Sequence, residues 1–189
     1  IDDLTIPTPA ESASAAFSVT ASDPGDDTLR YAWEVGDGNT GSGRVPTHTY
    51  TNQGAYDGRV TVSDEDGGSA TRAFTVQVRD VAPALSALFG GTNLNEGTSS
   101  TYRSTLTKAA NDMVSWTIVW DDGTENTTGS FNEVGTTQEI SQSHRFGDNG
   151  RYVVILRATD EDGNTATRQR TVNVANVAPS IDSITIDPE

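Results

Sequence analysis

Residues 48–83 read HTYTNQGAYDGRVTVSDEDGGSATRAFTVQVRDVAP, and residues 144–179 read HRFGDNGRYVVILRATDEDGNTATRQRTVNVANVAP. The second stretch repeats the first at a shift of 96 positions, with 16 of 36 residues identical. The identities include His48/His144, Gly54/Gly150, Tyr56/Tyr152, the run Asp64-Glu65-Asp66-Gly67 against Asp160-Glu161-Asp162-Gly163, and Val81-Ala82-Pro83 against Val177-Ala178-Pro179. A repeat of this length is a whole small domain rather than one turn of a solenoid. Tyr56, Val60 and Val62 alternate with other residues, as do Tyr152, Val154 and Leu156, and Val76 and Val78. Period two places such residues on one face of a β-strand. The Asp-Glu-Asp-Gly run between two such stretches is a polar turn. A feature present in both copies belongs to the scaffold, because a catalytic site needs to exist only once. A feature present in one copy marks specialisation.

Upstream, the copies align at a shift of 85. Glu11 falls on Glu96, Phe17 on Tyr102, Thr20 on Thr105 and Asp27 on Asp112. Leu29, Tyr31, Trp33 and Val35 fall on Val114, Trp116, Ile118 and Trp120, two alternating sets that each face one side of a strand. The two shifts differ by 11, so the second copy carries 11 added residues between Gly123 and His144. Thr and Val dominate the runs, Gly, Asp, Asn and Pro separate them, and no helical period is sustained. The expected fold is all-β, two tandem immunoglobulin-like β-sandwich domains. Their bounds are residues 1–80 and 81–176, the second with the insertion, followed by 177–189 as the start of a third repeat or a linker. Pro83 and Pro179 bias the preceding residue towards extended geometry, so the joint is semi-rigid.

Composition excludes several function classes. Twelve basic residues stand against 27 acidic ones, a net charge of −15. Such a surface repels nucleic acid and anionic membrane and favours cations. With no cysteine, disulfides and thiolate metal sites are absent. No apolar run approaches the roughly 20 residues of a membrane span, and no signal peptide is visible. The chain reads as a fragment of a longer tandem array, with neighbouring repeats as its first partners.

Further residues carry a family likeness. Tyr31-Ala32-Trp33-Glu34-Val35-Gly36-Asp37-Gly38, then His48-Thr49-Tyr50, then Gly54-Ala55-Tyr56, then a β-run ending at Asp64, resemble a PKD domain. The second copy is similar to a variant from bacterial tandem arrays, with Trp120-Asp121-Asp122-Gly123 and His144-Arg145-Phe146. The resemblance implies a seven-stranded sandwich and an extracellular module for adhesion, spacing or contact with protein or carbohydrate. It does not imply catalysis. Residue chemistry agrees. Gly36 and Gly38 permit a positive φ at the end of a strand, and Asp37 and Asp122 are placed to accept backbone N–H groups there. His48 and His144 are expected to hydrogen-bond across a loop and seat the Tyr50 and Phe146 rings. Tyr56 and Tyr152 match the tyrosine corner of related sandwiches.

The two histidines occupy one duplicated position, which argues against a hydrolytic triad. Asp121 and Asp122 are adjacent, so on a strand they point to opposite faces and do not form a glycosidase pair. Calcium is the cofactor the acidic loops suit, since it takes six to eight oxygens, often from Asp in Gly-containing loops. In the first copy the expected ligands are Asp23, Asp26, Asp27, Asp64 and Asp66, near Asp2 and Asp3. In the second they are Asp112, Asp160 and Asp162 with the linker's Asp80, although Lys108 occupies the position of Asp23. Glu11 lies at the opposite end of its sandwich, facing the linker. An ion held by Glu11, Asp80, Asp160 and Asp162 would stiffen the joint, whereas a plain hairpin turn explains Asp-Glu-Asp-Gly without any ion.

Trp33, Trp116 and Trp120 alternate inward and are assigned to the core rather than to sugar stacking. Val153 and Ile155 lie on the outward face, where the first copy has Asp57 and Arg59, and the insertion is expected to cover them. The insertion around Thr127–Asn132 is the place for copy-specific contacts, and Asn126-Thr127-Thr128 fits a glycosylation sequon. The reading is a non-catalytic, secreted or cell-surface segment of bacterial or archaeal origin, acting as a spacer or adhesion module stiffened by calcium. The alternative is an accessory module of a secreted hydrolase that binds polysaccharide or protein.

Overall fold

The computed structural model describes residues 1–25, 27–132 and 134–183. Among them there is no helix, and sixteen strands account for the regular structure. The chain forms two compact units. The first comprises Ile1–Ala82 with Ala109–Asp112 and Val134–Thr136, and the second holds the remainder.

The first unit contains β1 (Asp3–Thr5), β2 (Ser14–Ala16), β3 (Ser18–Thr20), β4 (Arg30–Glu34), β5 (Thr40–Ser42), β6 (Thr47–Thr49), β7 (Gly54–Ser63) and β8 (Ser69–Val78). One sheet has the order β5-β4-β7-β8, and the opposing layer is made of the pairs β1-β3 and β2-β6. The alternation is used as the sequence demands. Trp33, Val35, Val60, Val62, Val76 and Val78 face inward and meet Ala15, Phe17, Val19 and Tyr50 from the other layer. Gly58 belongs to that inward set and sits directly opposite Phe74. A Cβ on Gly58 would lie 2.6 Å from the Phe74 ring and 2.5 Å from the Glu34 carbonyl, so only glycine admits this approach. Phe74 in turn packs on Phe17 and Trp33, with ring centroids 5.8 Å from each.

The second unit contains β9 (Ala84–Leu85), β10 (Asn93–Asn95), β11 (Ser99–Thr107), β12 (Val114–Val119), β13 (Thr127–Phe131), β14 (Thr137–Arg145), β15 (Gly150–Asp160) and β16 (Thr165–Ala175). Its sheets run β10-β16-β15-β12-β13 and β14-β11-β9. The pairing of β10 with β16 is parallel, and the first unit shows the same contact as a single parallel bridge, Ala10 with Arg79. Tyr102, Leu106, Val114, Trp116, Ile118, Trp120, Ile140, Leu156 and Val172 are among the residues filling the core. Here the Gly58/Phe74 pair is replaced by Val154 opposite Arg170. Val154 fills the space itself, and Arg170 donates to the Leu88 carbonyl at 3.1 Å. All three tryptophans are buried, as the alternation requires.

The 11 added residues do not cover Val153 and Ile155, contrary to the sequence expectation. They lengthen one strand in each of the unit's two sheets. Where the first unit has three-residue β5 and β6, the second has five-residue β13 and nine-residue β14. β13 pairs in register along β12 and turns Phe131 onto the core. Lengthening β13 along β12 and β14 along β11 satisfies the new backbone groups in ladders, which a loop draped over a sheet face does not. Val153 and Ile155 therefore remain half-buried on the outer face. There Val119 pairs with Ile155, where the first unit pairs Glu34 with Arg59. The described part of the tail, residues 177–183, forms no strand.

Candidate metal centre

Glu11 follows the bridge residue Ala10 and precedes Ser12, which adopts a φ of 59°. The turn is pinned by Glu11 N–H to Arg79 O at 2.9 Å and Ser12 N–H to Tyr50 O at 2.8 Å. The Glu11 carboxylate is thereby directed inward, and the residue is only 4% exposed. One oxygen accepts the Val81 N–H at 2.8 Å and the other the Gln53 N–H at 3.1 Å. Asp80 and Asp112 stand beside it, so that one carboxylate oxygen from each of the three lies within 4.8 Å of the others. Segment 109–112 is held in the first unit by Ala110 N–H to the Ser12 hydroxyl at 3.4 Å and by Gly135 N–H to Ala110 O at 2.9 Å.

Burial pushes the Glu11 carboxyl up to about 7, and the Asp112 charge and a hydrogen bond with Asp80 push the same way against the Val81 and Gln53 donors. Three carboxylates in so small a volume repel one another unless a proton or a cation is added. They could supply part of the six-to-eight-oxygen shell that calcium takes. The second unit repeats only half of this arrangement. Glu96 accepts the Val177 N–H at 2.8 Å, but the position of Asp80 is taken by Asn176. The Glu-to-linker bond is thus scaffold, and the carboxylate cluster is peculiar to one copy.

The other expected ligands are placed differently. Asp160 and Asp162 are in no group of three potential ligands among the described residues. Asp160 accepts N–H groups from Asp162 at 3.1 Å and Asn164 at 2.8 Å, and the Asn164 side-chain amide at 3.1 Å, while Asp162 is exposed. Asp64 closes its own turn by accepting from Asp66 N–H at 3.0 Å and Gly68 N–H at 2.7 Å. In both turns the first Asp is an internal acceptor, as the plain hairpin reading requires. Asp23 and Asp64 line one recess of about 190 Å³, and Asp23 accepts the Gly25 N–H at 2.7 Å. Asp27 also flanks Gly25. Asp66 is exposed, and Asp26 lies outside the described residues. Lys108 is buried, 2% exposed.

The duplicated His and Asp form a second constellation. His48 Nε2 lies 2.7 Å from Asp37 Oδ2, and His144 Nε2 lies 2.7 Å from Asp122 Oδ2. Each imidazole stands edge-on to the next ring, Tyr50 at 4.6 Å and Phe146 at 4.8 Å. Each Asp also accepts a turn N–H, from Asn39 at 3.0 Å and Thr124 at 3.1 Å. Burial acts to raise both carboxyls. For Asp37 the Asn39 donors and His48 outweigh it, and for Asp122 the Thr124 donors and His144 do, so both fall below the ordinary range. Among the described residues no hydroxyl is hydrogen-bonded to either imidazole, and the pair does structural work in both copies. Tyr56 O–H donates to Asn52 O at 2.8 Å and Tyr152 O–H to Asp148 O at 3.0 Å, a tyrosine corner in each unit. Asp121, with a φ of 66°, replaces Gly36 and accepts the Val153 N–H at 2.9 Å.

The chain is similar to known proteins. The family model of the PKD domain fits residues 3–78 and again 80–175. The pre-pro-metalloprotease PrtV of Vibrio cholerae is 35% identical over 68 residues, which is 36% of this chain and 7% of the protease. Collagenase ColA of Clostridium perfringens is 25% identical over 170 residues, 82% of this chain and 14% of the collagenase. The chain therefore spans a small part of the curated relatives it matches. A solved PKD domain of an M14-like peptidase from Thermoplasmatales archaeon SCGC AB-540-F20 aligns with a TM-score of 0.41 at 25% identity, covering 51% of this chain and 98% of that one. The chain belongs to the PKD domain family and carries that domain twice in succession.

Proposed function

We propose that this chain is a non-catalytic, extracellular pair of PKD modules that spaces or positions a neighbouring domain of a longer protein, with calcium bound by Glu11, Asp80 and Asp112. The observation that carries the calcium reading is the convergence of those three carboxylates within 4.8 Å. They come from positions 11, 80 and 112, so one ion would tie together three segments far apart in sequence. Asp23, Asp27, Asp64, Asp66, Asp160 and Asp162 are not part of this set. The non-catalytic reading rests on the duplication of both histidines and of the Asp37 and Asp122 turns. Relatives that are bacterial proteases and collagenases support a secreted or cell-surface location. Calorimetric titration of the chelator-treated chain with calcium chloride tests the site. Saturable heat is expected, together with a rise in the first unit's melting temperature that grows with ion concentration. Absence of both heat and shift would refute it.

A second reading is favoured by the same relatives, whose names are those of proteases and collagenases. In it the pair is an accessory module that holds the substrate of a hydrolase on the same chain. Binding of the isolated chain to polysaccharide or protein surfaces separates it from a pure spacer, which binds neither.

A further inference from the structure

One recess belongs to neither the acidic cluster nor the repeated turns. Beside the second unit's three-stranded sheet, Phe89 and Arg103 form an isolated antiparallel bridge, each N–H donating to the other's carbonyl at 2.9 Å. Residues paired in this way present their side chains on the same face. Phe89 is 61% exposed. With Ser86, Arg103, Ser104, Thr105 and Glu139 it lines a recess of about 270 Å³. Arg103 Nε lies 3.9 Å from Glu139 Oε1, and both side chains are mostly exposed. The backbone beneath is fixed. Gly90, at a φ of 156°, packs its bare Cα against Tyr102, where a Cβ would come within 2.4 Å of the ring. In the first unit the equivalent pair is Thr5 with Ser18, which has neither ring nor charge. The recess is therefore a property of one copy.

A lone exposed ring needs no explanation. A ring in a recess beside a donor, an acceptor and a hydroxyl is a more specific arrangement. A sugar ring has an apolar C–H face and a rim of hydroxyls. The face suits an aromatic ring, and the rim needs donors and acceptors side by side, which Arg103, Glu139 and Thr105 supply. Arg103 and Glu139 balance each other, so the recess carries no net charge. The chain as a whole, at −15, repels anionic polymers. The volume falls just below the roughly 300–1,000 Å³ of pockets for drug-sized ligands, which fits one ring of a longer chain.

We infer that this recess is a subsite for one ring of a neutral polysaccharide, seated on Phe89 with its hydroxyls bonded to Arg103 and Glu139. The inference rests on the accessory-module reading and gives it a substrate class. Affinity electrophoresis of the 189-residue chain tests it, in gels cast with hydroxyethyl cellulose, glycol chitin or polygalacturonate. Retardation is expected in at least one neutral gel and not in polygalacturonate. Phe89→Ala should weaken that affinity roughly tenfold, as loss of aromatic stacking and burial implies. Phe89→Trp should preserve it. Unchanged melting temperatures would show that both variants fold. If Phe89→Ala is retarded as strongly as the parent, the subsite is refuted while the accessory reading stands. If the parent is retarded in no neutral gel, both the subsite and the polysaccharide form of that reading fail. Retardation by gelatin alone, lost in Phe89→Ala, would assign the recess to a protein partner and overturn the glycan assignment.

Discussion

Raising the pH from 5 to 8 in the presence of a chelator should destabilise the first unit, and calcium should reverse the loss. The reason is Glu11. Its carboxyl is pushed from 4.5 to about 7, first by burial and then by Asp112 and Asp80. Each unit of such a shift corresponds to about 1.4 kcal/mol, so the whole is about 3 kcal/mol. A raised pKa means that the folded state holds the proton more tightly than the unfolded chain does. The associated stability is fully present below 4.5 and is lost as pH rises through about 7. Asp37 and Asp122 are shifted the other way, so their contribution is present above 3.8 and lost only in acid, outside the interval tested. A chain of two units does not unfold as one two-state system, so the reporter must belong to the first unit. Trp33 is its only tryptophan, and its indole resonance can be followed in urea by NMR. The urea midpoint of Trp33 should fall between pH 5 and pH 8 without calcium and recover at pH 8 with it. Glu11→Gln should flatten the pH profile and abolish the calcium response. It should also cost roughly 1–3 kcal/mol at pH 5, because the Gln amide presents an N–H group to one of the two backbone donors. A chelated midpoint that stays level or rises from pH 5 to 8 would refute this account of Glu11.

Four further substitutions probe the scaffold. Tyr56→Phe and Tyr152→Phe each remove one corner hydrogen bond and should each cost about 1 kcal/mol in their own unit, read by urea unfolding. Gly58→Ala places a Cβ against the Glu34 carbonyl and the Phe74 ring and should cost roughly 1–3 kcal/mol as overpacking; an unchanged midpoint would contradict the packing described. Asp121→Gly trades relief of a positive φ against loss of the bond to Val153 N–H, so it should change stability by less than about 1 kcal/mol. A loss several times larger would show that Asp121 holds more than that one amide.

Much of the scaffold could be read from particular residues. The alternation of Trp33 with Val35, and of Trp116 with Ile118 and Trp120, states which side of a strand is buried, because side-chain direction in a strand has a strict period of two. The tyrosine corners are also legible, being short-range motifs written twice, as is a cross-loop bond for each histidine, but its partner, Asp37 or Asp122, is given only by the fold. The exchange of Gly58/Phe74 for Val154/Arg170 was visible only as two unrelated differences between the copies. Their connection is a cross-strand pairing, and register is set by the whole sheet. The length of the insertion is readable in the sequence but its direction is not. Only the ladders of β13 with β12 and of β14 with β11 keep it in the planes of the two sheets.

The candidate metal centre divides the same way. Composition and loop chemistry mark Glu11, Asp80, Asp112, Asp160 and Asp162 as oxygen ligands, and the duplication marks the Asp-Glu-Asp-Gly turns as scaffold. Nothing local in the sequence distinguishes Asp112 from Asp160, since both are aspartates flanking strand runs in the second copy. The fold separates them. Asp160 turns its carboxylate onto Asp162 and Asn164 within its own hairpin, whereas Asp112 lies beside Glu11 and Asp80, residues 101 and 32 positions before it. Strand identity, burial and turn type follow from nearest neighbours along the chain. A site built from three distant segments depends on distances that exist only once the chain has folded.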